Sequence, residues 1–438
     1  MATKAAGEGT EWAPARLRRV VMASLIGTTI EWYDFFLYNY AAAIIFNRLF
    51  FPSFDPLTGT LLAFTTYALG FVARPVGGIV FGHFGDRIGR KRLLMLSLIL
   101  MGVATALIGL LPTYDRIGFW APVALVVLRL VQGFAVGGEW GGAVLLAAEH
   151  GDAKRRGFWA SWPQAGVPAG NLLAVAVLAI LAAVQSDADF AAWGWRIPFL
   201  LSAVLVLIGW WIRTSVDESP TYRKAAEEAE ALPKVPAMEV LRQSPRGLAV
   251  GAGLRLGENI AYYIITAFSV TYLTEVARLD RGTALNATLV GAAIHFFTIP
   301  FFAWASDRYG RRPIYAFGAL GLAAFSFAFF PMLASGDMAA IVAAIAIALV
   351  LHGAMYGPQA AFISELFPTR IRYSGVSIAY QLTSIVAGSL APIIALALYQ
   401  RTGSATPVAI YVAATCLVSG ITALLARETK GIDLDTIS

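Results

Sequence analysis

The chain has 438 residues, of which 58% are hydrophobic and 14% charged, with a mean hydropathy of +0.68. Those values exclude a soluble enzyme of ordinary makeup and point to a membrane protein. The single cysteine, Cys416, lies inside an apolar run and excludes a disulfide framework. The net charge of +6 has to be read from where its residues fall.

Residues 1–19 form a polar, basic tail. The run that follows, 20–46, exceeds the length of a signal-peptide apolar region, carries acids and lacks a small-residue cleavage site, so it is expected to be retained. It is long enough to cross a bilayer, which takes about 20 apolar residues. At its centre, Ile30-Glu31-Trp32-Tyr33-Asp34-Phe35-Phe36 places two carboxylates in an otherwise apolar segment. An acid there costs roughly 2.5–3.5 kcal/mol on insertion scales and marks a functional position. Eleven further spans follow, near 57–83, 93–111, 122–148, 158–184, 195–213, 247–274, 284–305, 314–333, 338–364, 376–399 and 406–426. The longest polar stretch, 214–246, divides them six and six, with a charged helical patch at Arg223–Glu228 and then Pro233, Pro236 and Pro245. The expected organisation is a tail (1–19), a six-helix bundle (20–213), a linker (214–246), a second bundle (247–427) and a tail (428–438).

Lysine and arginine distribution sets the orientation. With the N-terminus cytoplasmic, inside segments carry 24 of the 33 basic residues and outside loops 6, and Arg74, Arg129 and Arg255 lie within spans. The basic balance is therefore topological, with no nucleic-acid partner implied. A repeat agrees with the six-plus-six division: Gly85-Asp86-Arg87-Ile88-Gly89-Arg90 follows the second span and Ser306-Asp307-Arg308-Tyr309-Gly310-Arg311 the eighth, 221 residues later. Glu149 with Arg155-Arg156-Gly157 and Glu365 with Arg370, Arg372 and Gly375 form a second pair, their acids 216 apart. Duplication of a six-helix half explains both.

At these residues the chain resembles the major facilitator superfamily, whose D-R-x-G-R signature occurs twice at the expected places. Glu31-Trp-Tyr-Asp34-Phe, Arg129-Leu-Val-Gln132-Gly-Phe, Gly137-Gly-Glu139-Trp and Trp193-Gly-Trp-Arg-Ile-Pro-Phe look like its metabolite:proton symporter branch. That branch includes shikimate, α-ketoglutarate, citrate and proline/betaine carriers, and Arg255-Leu-x-Glu258 resembles the shikimate type. In the second signature copy Ala303 stands for Gly82 and Ser306 for Gly85, a departure that bears on how tightly that gate packs.

The resemblance implies an all-α membrane protein of two pseudo-symmetric six-helix bundles, with Asp34 and Arg129 as the proton-coupling pair. Physically, a carboxylate facing a guanidinium stays ionised, whereas one withdrawn into a low-dielectric site prefers its proton. A conformational change that separates the two would therefore move a proton. A static structural ion pair is the competing reading. Glu31, one turn earlier, is either a second proton site or a partner for Arg74. In the seventh span Arg255, Glu258, Asn259, Tyr262 and Thr266 recur at helical spacing. Arg255 suits a cargo carboxylate, unless it simply neutralises Glu258. Gln132, Asn171, Gln359 and Gln381 are the remaining candidate cargo residues, and His295 and His352 read as hydrogen-bonded packing residues, with pH sensing as the alternative. Asp86, Arg87, Arg90 and Glu149, with Asp307, Arg308, Arg311 and Glu365, are expected to form a cytoplasmic gate.

The expected function is proton symport of a small organic acid by alternating access, in a monomer of the bacterial inner membrane. The alternatives are a zwitterion carrier of proline/betaine type, with an aromatic cage from Trp32, Trp140 and Tyr262, or a passive facilitator or antiporter on the same fold. No phosphate-binding loop, H-E-x-x-H or nucleophile motif supports an enzyme or an ATP-driven pump. No cofactor or metal is expected.

Overall fold

Among the described residues, twelve long helices account for the architecture and no strand occurs. The computed structural model describes residues 14–88, 90–137, 153–214, 236–368 and 371–432, without the side chains of 14–20, 78–94, 153, 212–214, 236–239, 281 and 373. The first half comprises α1 (Pro14–Ala41), α2 (Pro56–Ile88), α3 (Arg90–Leu110), α4 (Trp120–Val136), α5 (Arg156–Val184) and α6 (Arg196–Thr214). The second comprises α7 (Pro245–Tyr263), α8 (Arg281–Tyr309), α9 (Arg311–Ala334), α10 (Met338–Ser364), α11 (Arg372–Ser384) and α12 (Thr406–Leu425). By length and hydropathy alone, seven described helices qualify as membrane spans, or eight if the bent pair Asp187–Gly194 and Arg196–Trp211 is one span. The central helices α1 and α7 fall outside that set; they carry the buried charges Glu31, Asp34, Arg255 and Glu258.

Packing repeats between the halves. In the first, α1 packs on α5 and α6, α2 on α4, α3 on α4 and α6; in the second, α7 packs on α11 and α12, α8 on α10, α9 on α10 and α12. Each pair reappears six helices later. The halves meet through α2 against α11 and α5 against α8, again a pair exchanged by the same operation. Both central helices also loosen into a π-turn at equivalent depth: Ala42–Phe46 continues α1 and Ile264–Phe268 continues α7, 222 residues apart. A second π-turn, Tyr272–Val276, follows in α7, and Ile385–Ser389 continues α11 into Leu390–Thr402. Such turns widen a helix locally and occur often at functional sites.

Close helix approach depends on glycine where α2 crosses α4. A Cβ at Gly133 would collide with the Gly70 carbonyl, and one at Gly70 would come 2.9 Å from Nε of Arg129. This contact seats the Arg129 side chain between the helices. At the chain-duplication level the same economy appears at α8–α10, where a Cβ at Gly357 would meet the Ile299 carbonyl at 2.5 Å.

Candidate functional site

Asp34 and Arg129 are both buried to 1% exposure, on α1 and α4. They form no ion pair in this conformation. The Ser202 hydroxyl of α6 donates to Asp34, which also lies beside the Thr105 hydroxyl of α3. Arg129 Nη1 donates to Gln132 Oε1 at 2.9 Å, and Gln132 Nε2 donates to Thr105 Oγ1 at 2.6 Å. Gln132 and Thr105 thus stand between the two charges. The guanidinium lies 4.7, 4.4 and 4.5 Å from the ring centroids of Phe35, Tyr38 and Tyr67. Three desolvated cation–π contacts at about 1–2 kcal/mol each are enough to offset an insertion cost near 3 kcal/mol. That is why Arg129 can be buried without a carboxylate, while its Nε and Nη2 keep no partner. Arg74, the residue matched to Glu31 by sequence, stacks over Phe35 and Phe71 at 4.6 and 4.2 Å.

The second cluster belongs to the C-terminal half and surrounds a cavity at the junction of the halves. Arg255, Glu258, Asn259, Tyr262, Tyr263, His352 and Tyr356 line it from α7 and α10, facing Trp32 of α1 and Val167 of α5. Its volume is about 10 Å³, close to the smallest space that holds one water. This conformer is closed around its centre, and anything larger requires the halves to part.

Arg255 Nη1 donates to Glu258 Oε2 at 2.5 Å and to Gln359 Oε1 at 3.0 Å, and Gln359 Nε2 returns to Glu258 at 3.1 Å. Its guanidinium lies 3.7 Å from the Tyr380 ring centroid. The mutual neutralisation of Arg255 and Glu258, an alternative at the level of sequence, is therefore real in this state. Arg255 Nε and Asn259 Oδ1 nevertheless remain buried without partners.

Of the other expected cargo residues, Asn171 bridges the halves, accepting from Tyr40 at 2.5 Å and donating to Tyr262 at 3.3 Å. Gln132 serves Arg129 instead of lining the cavity, and Gln359 sits behind Arg255. Gln381 is only half-buried on α11, outside the cavity lining, with Oε1 unpartnered.

The histidines are buried and hydrogen-bonded, as read from sequence, but their partners are each other and a carboxylate. His352 Nε2 lies 2.9 Å from Glu258 Oε1, and His352 Nδ1 lies 2.9 Å from His295 Nε2. No sequence signal joined them, because they sit on different helices 57 residues apart.

A third cluster closes the arginine-rich end. Asp307 accepts from the backbone N–H groups of Gly157 and Phe158, at 2.9 and 2.8 Å, at the start of α5, where a helix N-terminus favours an anion. Glu365 accepts from Arg156 Nη1 at 3.1 Å, Arg311 Nε and Nη2 at 3.3 and 3.2 Å, and Thr429 Oγ1 at 2.6 Å. Arg311 also reaches Asp307 at 2.7 Å and Ser306 Oγ at 2.7 Å. Ser306, the departure from the glycine of the first signature copy, is thus a working acceptor, and the second copy packs tightly. Of the expected gate residues, Asp307, Arg311 and Glu365 converge. Arg308 does not: its side chain is exposed, 5.7 Å from the Tyr309 ring. Arg156 and Thr429 join the cluster unforeseen. Glu149 and the side chains of Asp86, Arg87 and Arg90 lie outside the described residues.

The glycine that permits this contact is Gly157, where a Cβ would strike Arg311 Nη1 and come 2.7 Å from Asp307 Oδ1. Gly157→Ala is expected to cost this contact about 1–3 kcal/mol by overpacking and to slow transport, measured as initial uptake rate. An unchanged rate and melting temperature would show that the contact yields easily.

The segment after α12 is tied into the same cluster. Arg156 Nη1 donates to the Ile432 carbonyl at 3.1 Å and Lys430 Nζ to that of Arg308 at 2.7 Å. Burial raises the affinity of the Glu428 carboxyl for its proton, but backbone N–H groups of Arg311, Lys430, Arg312 and Thr429 outweigh it and hold its pKa below the ordinary value. A lowered folded-state pKa stabilises above the ordinary carboxylate range, near 4.3, and the contribution is lost as pH falls through the depressed value. Glu428→Gln should therefore lower stability at neutral pH, on the order of 1 kcal/mol for a solvent-screened site. Melting curves of the two proteins should converge below about pH 4; a constant difference would contradict the charge's role.

Comparison with known proteins decides the family. The Major Facilitator Superfamily model matches residues 24–390 and 285–434. The chain belongs to the major facilitator superfamily. It is 43% identical over 419 residues to the shikimate transporter of Escherichia coli, covering 95% of this chain and 96% of that one. The inner membrane metabolite transport protein YhjE of the same organism is 41% identical, covering 96% of each chain. Its proline/betaine transporter is 32% identical, covering 94% of this chain and 84% of that one. A partially occluded inward-open structure of the xylose transporter XylE superposes with a TM-score of 0.74 at 18% identity, covering 96% of this chain and all of that one. As a superfamily member the chain is a membrane transporter of small molecules and not an enzyme, with two six-helix bundles enclosing a central cavity.

Proposed function

We propose that this superfamily member is a proton-coupled symporter of a small organic acid, shikimate or a close relative. The observation that carries the reading is Arg255: a buried guanidinium on the wall of the cavity between the halves, with Nε unpartnered. The strong similarity to a shikimate transporter supports it. Arg255 offers a carboxylate two parallel hydrogen bonds, and Asn259 and Tyr262 offer polar contacts for hydroxyl groups. Asp34 is the proton site. Held by Ser202 and separated from Arg129 by Gln132 and Thr105, it occupies the withdrawn position in which a carboxyl keeps its proton. Return to Arg129 would release it. Glu31 is a second candidate proton site in the same helix. The Asp307–Arg311–Glu365 cluster forms the cytoplasmic gate, with both termini cytoplasmic, in a monomer of the bacterial inner membrane.

A zwitterion cargo is the second reading, favoured by the aromatic lining of Trp32, Tyr262, Tyr263 and Tyr356, which suits a quaternary ammonium. Uptake of labelled shikimate into proteoliposomes under an inward pH gradient tests the two. The proposal expects accumulation that excess carboxylates abolish and glycine betaine leaves intact. Competition by betaine alone would replace it with the second reading.

A further inference from the structure

The C-terminal cluster contains a chain of hydrogen bonds whose direction can be assigned. Arg255 and Gln359 both donate to Glu258 Oε2, the arrangement of an ionised carboxylate, which only accepts. Its other oxygen must then receive a proton from His352 Nε2. A neutral imidazole with Nε2–H has a bare Nδ1, so His352 Nδ1 accepts, and His295 Nε2 is the donor across the 2.9 Å contact. The same rule leaves His295 Nδ1 as a bare acceptor, and this atom is buried with no hydrogen-bond partner. The chain therefore ends in an unoccupied basic site at one end and a carboxylate held by Arg255 at the other.

We propose that the His295–His352–Glu258 chain is a proton-loading site, filled when a cargo carboxylate takes the place of Glu258 on Arg255. The inference rests on Arg255 being the cargo group. The exchange balances. Before it, Arg255 and Glu258 neutralise each other and both imidazoles are neutral. After it, Arg255 faces the cargo anion, and Glu258 would face a neutral ring, an uncompensated buried charge that is costly to keep. One proton from water entering at His295 Nδ1 removes the deficit. His295 Nε2–H passes to His352 Nδ1, and His352 becomes the imidazolium partner of Glu258. Two neutral pairs replace one, and a single proton accompanies a single anion.

Among the described residues, the surroundings add no other charge of either sign in contact with the chain. On α7 the titratable neighbours are Tyr262 and Tyr263; α8 supplies only His295. From α9 comes Tyr315, which donates to the Leu254 carbonyl, and from α10 Tyr356. The α11 neighbour is Tyr380 under the Arg255 guanidinium, and α12 presents Cys416, whose thiol faces the Gly257 carbonyl. Tyr40 of α1 touches the group only through Asn171 and Tyr262. The Tyr262 ring covers both imidazoles, with centroids 5.5 and 4.9 Å away, so opening of the cavity at Tyr262 also opens the path to His295.

Arg255→Gln imitates a guanidinium diverted to cargo and needs no cargo in the tube. Nitrogen-15 spectra of histidine-labelled full-length carrier in lipid, in a H83Q/H150Q background, read the state of the remaining rings directly. At neutral pH the parent should show two neutral imidazoles, R255Q one imidazolium, and R255Q/E258Q two neutral rings again. Neutral rings in R255Q, or a charge that persists in R255Q/E258Q, would overturn the proposal. Should R255Q fail to fold, protons bound with shikimate can be counted calorimetrically in buffers of different ionisation enthalpy. In D34N about one proton per shikimate is expected and in D34N/H295Q none; no uptake by D34N overturns the idea. Failure of the parent to take up shikimate would instead sink the assignment of cargo, which the R255Q spectra do not use.

Discussion

Asp34→Asn is expected to remove one proton's share of the uphill accumulation of labelled shikimate while preserving exchange of internal for external substrate. Asp34 and the His295–His352–Glu258 chain each load one proton with the monoanion, and with the membrane potential clamped at zero the driving force is the pH gradient alone. Each pH unit corresponds to about 1.4 kcal/mol per proton, or tenfold accumulation. The variant should keep only the share carried by the histidine chain, about a tenfold loss at one unit of gradient. Asparagine keeps the volume and can still bond Ser202, so the fold should survive. Accumulation equal to the parent's would remove Asp34 from the coupling step. A static structural role would predict the opposite pattern, with exchange and accumulation falling together alongside the melting temperature.

Glu365→Gln has the second large expected effect, on the gate. Glu365 is the common acceptor for Arg156 of the first half and Arg311 and Thr429 of the second. Removing its charge leaves two buried guanidinium groups undercompensated, and breaking a buried pair costs about 3–5 kcal/mol. The closed gate alone bears that cost, so the protein should shift toward opening at the arginine-rich end. The chain supplies a clean reporter background, since its one cysteine, Cys416, is buried. A cysteine placed at Ser161, fully buried behind the gate on α5, should react with a thiol reagent on the order of 100-fold faster in the Glu365→Gln protein. Equal labelling rates would show that the cluster does not hold the halves together.

The two effects differ in how visible their residues are from sequence. Asp34 and Arg129 stand out because each is a charge in an apolar span, where insertion cost makes any charge conspicuous. Asp307, Arg311 and Glu365 stand out by repetition. The ring contacts of Arg129 were not legible, since Phe35, Tyr38 and Tyr67 look like any other aromatic residues of membrane helices. Ser202 and Thr105 were equally silent: a hydroxyl in a membrane helix commonly bonds its own backbone, as Thr105 does to the Met101 carbonyl at 2.9 Å. Gly157 could be seen as part of a motif, but not as the place where α5 meets Arg311.

His295 and His352 mark the same boundary more sharply. Each alone on an apolar helix reads as a packing residue, and the chain they form with Glu258 needs α7, α8 and α10 in register. Sequence by itself determined the span pattern, the duplicated halves, the superfamily and the identity of the buried charges. Those follow from hydropathy, repetition and, for the superfamily, resemblance of short motifs, all of which can be read along the chain without knowing which helices touch. The tertiary structure alone decided which charges touch: Asp34 held apart from Arg129, Arg255 shared between Glu258 and Gln359, Glu365 joining the halves. Partner choice in a low-dielectric bundle depends on angstrom-scale distances between helices far apart in the chain, and no local pattern encodes them.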